Sequence, residues 1–341
     1  MKTMKYLSYT TVLMLALATR APALPPEQGL APHDAKWLVH VDMDALRDSK
    51  VGNILIKDKL AAQIAQLKTD MKIDVELILQ KLHSITAFGT DFQVGPEANG
   101  VLVLNGGEEL RTIAEGLLAA QILQNPDGPV KKLQEEPFPI YSVHQQIFVS
   151  PGLAGHVVAS KSRAQLESLR VTLSGKAKTG GPNEAFSGYA KVANSFFFLA
   201  VAEGFNENTA LPPQAKILKM AEGARLVLGE KGELIFLNLA LKAKEAEVVR
   251  QIAQVLEGIK AVVALGQSEN KELLELVQSI NVASTEKMVT VNLEYPLAKV
   301  MDKIDELSKH AGKDSGKPAH AKHRKNKSDP SAKPEPPSED Q

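Results

Sequence analysis

From Trp37 to Asp44 the chain alternates. Trp37, Val39, Val41 and Met43 fall on one parity, and His40, Asp42 and Asp44 on the other. Period two predicts a strand over about 37–43 with its apolar side inward and its polar side in water. Asp44 then stands ready to cap the turn "DALR", because its short side chain can accept from an orphan backbone N–H. The spacing of Ile56, Leu60, Ile64 and Leu67 predicts one long helix from about Lys50 to Asp70. "SITAFGTDFQ" and "NGVLVLNG" read as paired strands across the turn "VGPEAN". A helix follows in "EELRTIAEGLLAAQIL", with Leu110, Ile113, Leu117 and Leu118 on one face. Further strands come from "PIYSVHQQIFVS" and "GHVVAS", and the helix "RAQLESLRVTL" closes this half.

After a Gly-rich break the order of elements repeats. "SFFFLAVAEG" stands where "WLVHVDMD" stood, and a helix at about 212–221 precedes a strand pair, "ARLVLGEKGELIFLNLAL", around a Lys-Gly turn. The next helix turns Val248, Ile252, Val255, Leu256 and Ile259 inward. "NKELLELVQSI" adds a helix without counterpart; "INVASTEKMVTVNLEY" matches the late strands and "PLAKVMDKIDEL" the closing helix. The expected fold is α+β: two similar halves, each a mostly antiparallel sheet with helices packed on one face. Short Gly-containing turns favour antiparallel pairing, since a parallel crossover needs about a dozen residues or more.

The boundaries follow composition. Residues 1–23 read as a signal peptide: a basic start, an apolar run from Tyr6 to Ala18, then small residues, with cleavage after Ala23 or after Ala18. That run is short for a membrane span, which takes about 20 residues. Residues 24–34 form a Pro/Gly lead-in outside any core element, 35–175 the first repeat, 176–188 a Gly-rich linker and 189–308 the second repeat. Residues 309–341 contain no aromatic residue and no Val, Ile, Leu or Met, so they are expected to be disordered. The mature chain is expected to be exported, periplasmic or extracellular, with no transmembrane segment.

Composition narrows the chemistry. Cysteine is absent, which removes disulfides, thiolate metal sites and a cysteine nucleophile. The formal charge is zero, yet residues 24–308 hold 29 basic against 35 acidic side chains, and residues 309–341 hold eight against five. An acidic body argues against nucleic acid as a ligand. The basic tail points instead to an anionic envelope polymer or a membrane surface as partner. One Trp and 5 % aromatic residues leave little for a stacking platform, and Trp37 reads as a core anchor.

"AKWLVHVDMDALRDSKVG", followed by a helix, "ITAFGTDF" and "GVLVLNG", resembles uncharacterised exported bacterial α+β proteins of unknown function. The resemblance implies a two-repeat fold and export, and it carries no catalytic residue to this chain.

The best chemical lead is His40, Asp42 and Asp44 as metal ligands. Neighbours on one strand face lie about 7 Å apart, close enough for His40 and Asp42 to share an ion. Asp44 requires the strand to curl, and a further ligand must come from elsewhere, such as His83, His144 or His156. Lys178-Thr179-Gly180 and the Ser268/Lys271 and Ser284/Lys287 pairs echo penicillin-recognising serine enzymes in the wrong order, so they carry no assignment. No Gly-x-Ser-x-Gly, His-Glu-x-x-His, P-loop or Gly-x-Gly-x-x-Gly motif occurs. No catalytic residue is assigned and no cofactor is implied. The expected function is a non-enzymatic binding or structural protein of the cell envelope. The alternatives are a metal-dependent hydrolase using the His40/Asp42 face, or a regulatory module with a small molecule between the halves.

Overall fold

The structure is a computed structural model and describes residues 30–302 apart from 33, 57–59, 72–73, 92–95, 136, 154, 174–195, 206–212 and 267–269. The signal peptide, the Gly-rich linker, Lys178-Thr179-Gly180, Ser268 and the tail lie outside the described residues. Of two units, Met1–Val300 and Met301–Gln341, the first carries all the described strands.

These strands are β1 Trp37–Asp42, β2 Ser84–Gly89, β3 Gly100–Asn105, β4 Val130–Gln134, β5 Ile140–Val143, β6 Ile147–Leu153, β7 His156–Ser160, β8 Phe196–Glu203, β9 Gly223–Lys231, β10 Leu234–Lys242, β11 Ile280–Ser284 and β12 Met288–Pro296. They make one sheet in the order β11-β12-β10-β9-β8-β1-β2-β3-β7-β6-β5-β4, antiparallel throughout. Outward from the β1–β8 pair the strands run β2, β3, β7, β6, β5, β4 on one side and β9, β10, β12, β11 on the other. The β9–β10 hairpin turns tightly at Gly232, whose φ of 71° is the left-handed conformation that glycine adopts at no steric cost.

The helices are α1 Met43–Arg47, α2 Lys50–Ile54, α3 Ala61–Met71, α4 Val75–Lys81, α5 Pro96–Asn99, α6 Gly107–Gln124, α7 Arg163–Leu173, α8 Ala246–Gly266 and α9 Lys271–Gln278. A 3-10 helix, Pro213–Met220, occupies the expected helix near 212–221. The expected helix from Lys50 to Asp70 is two elements, α2 and α3. Ser49 caps α2 by accepting from the Gly52 N–H, which restarts the chain after α1. The turn expected between β2 and β3 contains α5.

Because paired residues share a face, the register sorts the core into two layers. Leu38 pairs with Phe88 and Val201, and Phe88 with Val101; this side packs on Leu166 and Leu169 of α7. Leu241 and Val289 lie on the other side, where Val249 and Ile252 of α8 cover them. The helices therefore sit on both faces of one sheet, rather than on one face of each of two sheets. A continuous sheet exposes two apolar faces, and each must be covered. Leu30, Ala31 and Ala35 join the first layer, so the end of the expected lead-in is core after all.

One row illustrates the consequence. Val149, Ala159, Leu102, Ala87, Val39, Ala200, Leu226, Leu239, Val291 and Val282 are in register across ten strands, and each is half-buried. The row behind it, which includes His40, is buried at the sheet centre. The expected arrangement of an apolar inner and a wet outer face on β1 is thus incorrect.

Candidate functional site

His40 sits on β1 between Thr86 of β2 and Leu199 of β8. It is 2 % exposed, and its Nδ1 lies 2.8 Å from Thr86 Oγ1. The rest of the row is apolar as far as Val103 and Val158 on one side and Val227 on the other. A buried imidazole retains most of its hydration cost unless a partner is placed for it, and Thr86 is that partner.

Asp42, 1 % exposed, ends β1. Its Oδ1 accepts from the Ala45 N–H at 2.8 Å, so Asp42 caps α1. The cap was expected at Asp44. The geometry favours Asp42, because a cap reaches the N–H two or three residues on, and Met43 already opens the helix. Asp44 is instead in the first turn, where its carboxylate meets the Arg47 guanidinium and, at 2.8 Å, His83 Nδ1. Arg47 also donates to the carbonyls of Leu79 and Leu82, tying α1 to the end of α4. Backbone bonding from Met43 N–H to the His83 carbonyl holds His83 beside α1.

Of the histidines named as further ligands, only His83 meets this group. His156 is on β7, three strands from β1, and His144 is in the β5–β6 turn, five strands from β1. At about 4.8 Å per strand these are separations of about 14 and 24 Å. Among the described residues, no three His, Asp or Glu side chains are grouped so as to hold a metal ion. Trp37 is a core anchor, as expected, with its indole N–H donating to the Asp91 carbonyl at 3.2 Å.

Sequence reasoning missed a polar ladder at the far end of the His40 row. Asn238, Asn292 and Asn281 are in register on β10, β12 and β11. Arg225 donates to Asn238 Oδ1 at 2.5 Å, and Asn238 Nδ2 to Asn292 Oδ1 at 2.5 Å. With Lys231 and Glu294 the three asparagines line a shallow hollow. Its signal in the sequence was an asparagine at matching parity in three strands, legible only once register is known.

Two surfaces differ from expectation in the opposite sense. Val255 and Ile259, expected inward on α8, are exposed. Val249 and Ile252 mark where α8 meets the sheet; Ile259 is only about 20° round the helix from Ile252, so its exposure follows its place further along α8 rather than its angle. On α6 only Leu110 is buried; Ile113, Leu117 and Leu118 are half-buried. Among the described residues, no helix is long and apolar enough to cross a membrane.

No protein-family model matches the chain, and no curated protein matches it. Among solved structures, crystal form III of TP0453 is similar with a TM-score of 0.47 at 10 % identity, over 84 % of this chain and 100 % of that one. Crystal form I of TP0453 gives 0.41 at 13 % identity, over 84 % and 99 %. Neither likeness carries a functional argument for this chain, which rests on its own geometry.

Proposed function

We propose that the protein is an exported, non-enzymatic binding or structural protein of the cell envelope, holding its partner by surfaces rather than at a reaction centre. The observation that carries this reading is the commitment of the most reactive side chains to internal partners: His40 to Thr86, Asp42 to the first turn of α1, and Asp44 to Arg47 and His83. Export is supported by the basic start, apolar run and Ala-x-Ala of residues 1–23. A tether to an anionic polymer or membrane surface is supported by the eight basic side chains of residues 309–341. A duplicated origin, with repeats over 35–175 and 189–308, is supported by the order of the first four strands outward, β2, β3, β7, β6 from β1 and β9, β10, β12, β11 from β8, with β5 and β4 additional to the first repeat.

The test has two parts. The full chain, produced with its N-terminal segment in a bacterial host, is expected in the exported fraction with Leu24 or Thr19 as its first residue. An unprocessed chain confined to the cytoplasm would overturn the reading. Retention on an anionic polymer is expected at low salt, lost at high salt. It should also be lost when Lys317, Lys322, Arg324, Lys325 and Lys327 are all replaced by Gln.

A metal-dependent hydrolase remains the second reading. It was expected on the His40/Asp42 face, but His40 meets Thr86 and Asp42 accepts from the Ala45 N–H, so an ion would have to take Asp44 and His83, 2.8 Å apart, as its ligands. An ion there must displace Arg47 from Asp44.

A further inference from the structure

The two long helices share an asymmetry. In α6 the charged residues are Glu108, Glu109, Arg111 and Glu115, and none follows from 116 to 124. In α8 they are Glu247, Arg250, Glu257 and Lys260, and none follows from 261 to 266. Both uncharged ends emerge into solvent. On α8 the exposure climbs along one stripe, from 43 % at Val255 through 53 % at Ile259 and 70 % at Val262 to 78 % at Leu265. On α6 Leu123 is 81 % exposed. Lys260 does not interrupt the stripe: it donates to the Ile280 carbonyl at 2.7 Å, on the sheet side of the helix.

We propose that the exposed aliphatic stripe of α8, Val255, Ile259, Val262 and Leu265, docks onto the interfacial layer of a lipid bilayer. A second copy of the chain fits this surface poorly. The exposed parts of the α8 stripe amount to about two and a half side chains, whereas a stable protein interface takes roughly 20–30 residues a side. The stripe is wholly aliphatic, without the Tyr, Trp or Arg that anchor protein partners. A bilayer interface needs no complementary shape; it accepts the apolar side of a helix lying about 5–10 Å deep, with a strength set by the apolar area buried. Among the described residues the stripe itself is aliphatic and uncharged, so its attraction does not depend on lipid charge. This inference rests on the envelope reading only in placing a bilayer within reach.

The experiment is flotation of the full chain with phosphatidylcholine vesicles in 1 M salt, where screening over about 3 Å silences the tail. The chain is expected to float with the vesicles. Val262→Gln/Leu265→Gln should lower the partition coefficient about tenfold while leaving circular dichroism and melting unchanged, because both side chains are exposed and Gln is a good helix former. In Ile259→Trp the fluorescence should shift to the blue on vesicle addition, over the constant signal of buried Trp37. Three results would overturn the proposal: no flotation of the unmodified chain, equal flotation of the double variant, or a concentration-dependent dimer that the double variant loses. Salt-sensitive binding to anionic vesicles without any binding to phosphatidylcholine would remove this proposal and leave the envelope reading standing. A chain that floats but is never exported would do the reverse.

Discussion

Asp42 is the residue at which a chemical role and a structural role predict different outcomes. Its Oδ1 accepts the Ala45 N–H at 2.8 Å, and Ala45 is 1 % exposed, so water cannot replace that bond. Replacing a cap with Ala costs about 0.5–2 kcal/mol. A buried N–H left without an acceptor costs roughly 1–3 kcal/mol, which puts Asp42→Ala near the top of the cap range, at about 2 kcal/mol. For a unit of this size that corresponds to a fall in Tm of about 4–8 °C. Asn caps as well as Asp, so Asp42→Asn should cost only a few tenths of a kcal/mol, about 1 °C. Thermal denaturation of both variants, with a urea titration as a second probe, reads the difference directly. If Asn proves as damaging as Ala, the negative charge rather than the cap is what the site requires, and the structural reading of Asp42 fails.

Other outcomes follow from the same geometry. A Cβ at Gly52 would lie 1.9 Å from the Leu46 carbonyl oxygen and 2.3 Å from Ser49 Oγ, so Gly52→Ala must force α1 and α2 apart. The expected loss is about 3 kcal/mol in urea denaturation, and a neutral result would contradict the α1–α2 packing. At Glu203, burial is the largest influence and pushes the carboxyl above its usual range, with Lys242 and Lys36 pulling the other way. The ionised form is therefore penalised in the folded state. Glu203→Gln should raise Tm at pH 7, and the gain should vanish below about pH 4, where the carboxyl is protonated in both states. A gain that grows on acidification would reverse the sign of the argument.

How much could be read from the chain alone varied with the kind of question. Strand periodicity located β1 to within a residue, and the Lys-Gly turn marked the β9–β10 hairpin. The α+β class followed from short antiparallel turns alternating with helices. Parity along a strand sorts residues into two faces, but it does not say which face water reaches. Here α7 and α8 cover opposite sides of one sheet, so His40 is buried beside Thr86, 46 residues away, while Val39 is only half-buried. The cap was missed by two residues because Asp42 and Asp44 both offer a short side-chain acceptor oxygen, and only the helix start at Met43 decides between them. On α8 the apolar stripe runs on beyond the part that meets the sheet, and the pattern alone could not tell Ile252 from Ile259.

The central claim is that the His40–Asp42–Asp44 region belongs to the fold. The most direct test is the melting temperature of the metal-stripped full chain with and without zinc, manganese, magnesium or calcium. An ion at a hundred times its dissociation constant stabilises by about 2.7 kcal/mol, which here means a rise of roughly 5–10 °C. The account predicts no rise with any of the four, even if histidines 310, 320 and 323 collect metal, since those lie outside the sheet unit. A clear rise that disappears in Asp44→Asn/His83→Ala would contradict it and move the metal-dependent reading to the front.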